Sequence, residues 1–132
     1  METGKYADFY YADKILTIVF NALEVTEKLF DDYLTEMVDF YDTHKEKFVI
    51  IFDGRNSKYL PSSLRVKQAN WMKKNELRIK EKCVGNVYLI NNIILQAVLN
   101  GILFVNKPPV AYCTASTLEE AQQRAAEFLQ KG

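Results

Sequence analysis

The residues best able to do chemistry fall in one stretch, Phe48 to Ser63, FVIIFDGRNSKYLPSS. Asp53 offers a carboxylate directly before Gly54. Arg55, Asn56, Ser57, Lys58 and Tyr59 then lead to Ser62 and Ser63 at the start of a helix, a layout able to hold an anion or a partner's acidic group. The other reactive side chains are scattered. His44, the single histidine, ends a helix without a cysteine or carboxylate cluster planned around it and reads as a capping or surface residue. Cys83 and Cys113 sit in no C-x-x-C or His-paired spacing and read as buried reduced thiols. The five glycines form neither G-x-x-x-x-G-K nor G-x-G-x-x-G, and no G-x-S-x-G occurs. These patterns call for no metal and no cofactor, and the chain is expected not to be an enzyme.

An alternation of strands and helices must position that stretch. Tyr6–Tyr11 and Lys14–Phe20 read as a hairpin broken at Ala12-Asp13. Thr26 caps a helix whose apolar residues Tyr33, Leu34, Met37, Val38 and Tyr41 recur at spacings of three and four. Phe48–Phe52 is apolar at both alternating sets of positions, which fits a central strand buried on both faces. A long basic helix is expected from Pro61 to about Lys82, then a strand at Asn86–Ile90 and a core helix over 93–104 capped by Asn91-Asn92. The strand Val110–Cys113 follows. Overlapping capping boxes at Ser116/Glu119 and Thr117/Glu120 open the last helix. The order implies an α/β fold: a mainly parallel sheet of about five strands, an N-terminal antiparallel hairpin strand and four helices, in a single domain covering 1–132. Ligands of such sheets gather at the carboxyl ends of the strands, where Asn21, Asn91 and Thr114 join the 53–63 stretch.

The 17 basic residues equal the 17 acidic ones, which speaks against a generic nucleic-acid binder. The distribution is uneven. Glu27, Asp31, Asp32, Glu36, Asp39, Asp42 and Glu46 crowd the first helix region, whereas Arg65, Lys67, Lys73, Lys74, Arg78, Lys80 and Lys82 crowd the second. No stretch is long and apolar enough to span a bilayer, and METGKYADFYY lacks the layout of a signal peptide, so a cytoplasmic location is expected by default.

Asp53 at a strand end invites comparison with receiver domains, but Asn21-Ala22-Leu23 stands where those need an acidic pair, and Lys107-Pro108 precedes the last strand instead of following it. The element order, ILTIVF before the first helix, FVIIFD before a polar loop and long helix, and the closing PPVAYCTASTLEEAQQRAAEFL together resemble the STAS domain, in its stand-alone SpoIIAA-like branch. That resemblance implies a non-enzymatic regulatory or scaffolding module whose protein partner is a kinase or an anti-sigma-like factor. It also implies a phospho-acceptor serine, matched here by Ser63. The family's D-S-S-G is replaced by Pro61-Ser62-Ser63-Leu64, which departs at both ends. A competing implication, through the likeness of SpoIIAA-like proteins to CRAL-TRIO domains, is a carrier of a small apolar ligand. Such a carrier needs a cavity of some hundreds of cubic ångströms. A sheet with helices on one face would further expose its other face and the aromatic segment Tyr6, Phe9, Tyr10 and Tyr11, and a homodimer is expected on that surface.

Overall fold

The computed structural model describes residues 4–57 and 60–132. Five strands lie in sequential order: β1 (Ala7–Ala12), β2 (Ile15–Phe20), β3 (Phe48–Asp53), β4 (Cys83–Leu89) and β5 (Tyr112–Ala115). β1 pairs antiparallel with β2 and every other pairing is parallel, as the alternating pattern implies. The hairpin turns on Asp13 and Lys14, not Ala12-Asp13. Both have positive φ, 54° and 66°, the mirror-image backbone that matches the twist of two paired strands.

Among the described residues five helices, not four, accompany the sheet: α1 (Glu27–Thr43), α2 (Ser62–Lys74), α3 (Glu76–Lys82), α4 (Ile93–Val105) and α5 (Leu118–Lys131). The long basic helix breaks at Asn75. Its amide side chain donates to the Trp71 carbonyl at 2.9 Å, and its own carbonyl oxygen Oδ1 accepts from Arg78 at 2.6 Å. A short polar side chain that bonds to nearby groups competes with the helix ladder, and here the competition ends one helix and starts the next.

The caps are local and match the sequence. Thr26, Asn92 and Thr117 each accept a backbone N–H from the residue three positions on, and Glu120 reaches back to the Ser116 N–H. His44 closes α1. Its Nδ1 lies 3.1 Å from the Phe40 carbonyl and its ring stacks on Phe40.

Alternation along the strands sorts their side chains into two cores. Leu16, Ile18, Phe48 and Ile50 face α1 to α4, whereas Val49, Ile51, Val87 and Leu89 face α5 through Ala121 and Ala125. β3 is therefore covered on both faces. Gly85 lets α5 approach β4, since a Cβ there would lie 2.5 Å from the Phe128 ring. The second face is thus not bare, although α5 packs chiefly on β3 to β5. Of the aromatic N-terminal segment, Tyr6 is buried, Phe9 and Tyr11 are half-buried against the α1 core, and only Tyr10 is exposed. The acidic and basic helices also meet within the chain: Lys67 pairs with Glu27 and Asp31, and Arg78 with Asp42. Opposite fields that satisfy each other internally contribute less to holding two copies together.

Candidate functional site

Two places answer to the residues singled out above, the strand-end rim and the space behind it. The rim is largely engaged with itself. Asp53 is buried, and both of its oxygens accept from the Arg55 guanidinium at 2.9 Å while Oδ1 also accepts the Arg55 backbone N–H. That bidentate bond holds the Arg55 charge and raises its pKa further, so the cation expected to meet an anion already has a carboxylate. The Gly54 N–H donates to the Leu89 carbonyl at 3.0 Å, and the Ser57 hydroxyl donates to Gly54 at 2.9 Å, which folds the loop back on itself. Asn21 donates to Asp8 and to the Lys5 carbonyl, which makes it a fastener of the hairpin.

Asn56, Asn91 and Thr114 stand exposed on the same rim. Lys58 and Tyr59 lie outside the described residues. Ser62 and Ser63 are exposed at the start of α2, where Pro61 occupies the capping position and gives no side-chain bond to the helix amides. The rim therefore offers hydroxyls and amides, with its main charge pair closed.

Behind the rim lies an apolar cavity of about 110 Å³ between the sheet and the helices on its α1 side. Phe52, Asn86 and Tyr88 form its floor on β3 and β4. Phe30, Tyr33 and Met37 of α1 and Gln68, Trp71 and Met72 of α2 form its walls, and Leu95, Val98, Leu99 and Ile102 of α4 form its roof. Gly54, Ser57 and Leu60 connect it to the rim. α4 packs on α2 and not closely on the sheet, and that separation is what leaves the space open.

The lining is apolar with a few polar groups. Asn86, buried in β4, donates to the Tyr88 hydroxyl at 3.3 Å and accepts from the Cys83 thiol. Burial pushes the Cys83 thiol up to about 12 and the Tyr88 phenol higher still, so both are neutral donors or acceptors near neutral pH. Desolvation likewise raises Tyr6 and Tyr33. The hydroxyls of Tyr6 and Tyr33 make no hydrogen bond to a described residue, although both side chains line the cavity. A small apolar ligand with one or two hydrogen-bonding atoms would satisfy them.

The sequence placed the site on the rim and missed this lining. Tyr33, Met37, Trp71 and Leu95 read as core stripes, which they are. The available signal was an excess of aromatic residues, 8 Tyr and 8 Phe in 132, together with the weak apolar stripe of α2. No protein-family model matches this chain and no curated protein sequence matches it significantly, so the assignment of the site rests on geometry.

Proposed function

We propose that this chain is a non-enzymatic binding protein whose ligand is a small, largely apolar molecule held between the sheet and α1, α2 and α4. The observation that carries this reading is the aromatic-lined cavity, along which the hydroxyls of Tyr6 and Tyr33 bond to no described residue. Protein interiors pack to crystal density, so an apolar-lined space of this size reaching into the core from the rim suits a ligand. An apolar cavity of about 150 Å³ is enough to hold benzene. The 110 Å³ here is smaller than the space expected of a carrier of larger ligands, so it suits one ring carrying a single polar atom, and a long acyl chain would require α4 to move.

Titrating the protein with phenol, indole and benzyl alcohol is expected to give binding with Kd roughly between 10 μM and 1 mM for ligands of about eight heavy atoms. Val98→Trp, which fills the roof of the cavity, is expected to abolish that binding while the protein stays folded by circular dichroism. Failure of every probe to bind the parent chain, or binding undiminished in a folded Val98→Trp, would overturn the reading.

A second reading, a STAS-type regulatory module that docks a protein partner on the rim, is supported by the exposure of Ser62 and Ser63 at an N-terminus without a side-chain cap. A phosphate on Ser63 would meet the positive end of α2. Phosphopeptide mapping of the protein from its native host should then find Ser63 modified in part of the population. A residue unmodified under all growth conditions would count against the switch.

A further inference from the structure

Helix α4 has 13 residues and no charge, yet much of it faces water. Ile93 is 84 % exposed, Ile94 62 %, Phe104 92 % and Val105 45 %. The helix was expected to be a core element, but only one of its faces closes the cavity. Besides this apolar strip, Val66 of the neighbouring α2 is exposed as well.

The two helices run in the same direction. Arg65 lies against Gly101, and one turn later Asn106 donates to the Ala69 carbonyl at 3.3 Å. One further turn of α2 therefore places Lys73 and Lys74 beyond the C-terminal end of α4, where Lys107 also emerges. All three lysines are exposed, and none forms an ion pair with a described residue. The opposite end of the strip borders one carboxylate, Glu24, in the shallow groove beside Ile93 and Ile94. Lys67, by contrast, turns away to α1 and is engaged there by Glu27 and Asp31.

We propose that the α2–α4 face docks on an anionic lipid surface, with Phe104 and Val105 entering the acyl boundary and Lys73, Lys74 and Lys107 meeting lipid phosphates. Interfacial helices combine a strongly apolar face with flanking cations, and both features are needed because neither alone holds a protein on a bilayer. The chain's zero net charge does not oppose this, since the acidic residues of α1 are partly neutralised by α2 and α3 on the other side. Charge complementarity favours the lipid over a second copy: among the described residues, the unpaired charges bordering the strip are three lysines against Glu24, and a matching face brings the same excess. This proposal does not depend on the cavity being occupied.

Flotation with vesicles tests it. The chain is expected to bind vesicles of phosphatidylcholine mixed with phosphatidylserine, to bind phosphatidylcholine alone much more weakly, and to be released by salt. Removing Lys73, Lys74 and Lys107 together as alanines should lower partitioning to the anionic vesicles by about a hundredfold. The pair Ile94→Ser and Phe104→Ser should lower it by about tenfold or more, with the melting temperature little changed because both side chains are exposed. Absence of binding to the anionic vesicles, or binding indifferent to either set, overturns the proposal. So does a dimer in sedimentation equilibrium that Phe104→Ser converts to a monomer, because the strip would then be covered by a second copy.

Discussion

Above about pH 9 the folded chain is expected to lose stability by ~1.4 kcal/mol per pH unit for each buried phenol or thiol that must give up its proton. Burial raises Cys83 from 9.0 to about 12 and holds the phenols of Tyr6, Tyr33, Tyr41 and Tyr88 well above 10.0. In each case desolvation is the main cause, because the charged form would sit in an apolar interior beside other neutral phenols. The folded pKa lies above the unfolded one, so the native state keeps protons that the unfolded chain releases. Their contribution is fully present below the unfolded values and disappears as pH rises through the folded ones. Urea denaturation at about pH 8 and about pH 11 should differ by several kcal/mol, and Tyr33→Phe should flatten the dependence by one group's share. Equal midpoints and slopes at the two pH values would contradict the burial of this cluster.

Truncating Phe30 is expected to cost about 3–5 kcal/mol, with a fall in Tm on the order of 15 °C. The side chain is 1 % exposed, packs 5.7 Å from the rings of both Tyr6 and Tyr33, and lines the cavity. Phe30→Ala would enlarge a space that already exists, and walls that have not collapsed around the first void have little means of collapsing around a larger one. The loss should therefore fall at the upper end of that range, against a total stability of about 5–15 kcal/mol for a domain of this kind. Benzene or toluene should restore part of it, by about 2.7 kcal/mol at a hundred times Kd. Leu64→Ala provides the contrast. Leu64 is equally a core residue but does not line the cavity, so its truncation should destabilise without rescue. Thermal melts with and without the hydrocarbon decide the matter: a Phe30→Ala protein that is destabilised and not rescued would show that the space is closed to ligands.

The difference between what could be read along the chain and what could not follows the range of the forces involved. Thr26, Asn92 and Thr117 were identifiable as caps because a cap bonds to an amide three residues away, within one turn. The FVIIF run determined a two-faced central strand, since alternation leaves such a run no exposed side. Parallel pairing followed from the alternation of elements, whereas the sequential strand order is visible only in the tertiary structure. The break at Asn75 was not evident: its neighbours Lys73, Lys74 and Glu76 carry no stop signal, and the break is fixed by bonds to Trp71 and Arg78. Arg55 looked free because sequence gives residue types and not rotamers, and its rotamer folds it back onto Asp53 two residues away. Helix α4 was recognisable as a helix but not as one with a wet apolar face. Gln96 and Asn100 mark only a narrow polar face, and the exposed Ile93, Ile94, Phe104 and Val105 are apolar just as those buried are. The cavity lies furthest from the sequence. Its volume is a small remainder left among side chains from β3, β4, α1, α2 and α4, and that remainder is decided only when α4 settles on α2 instead of on the sheet.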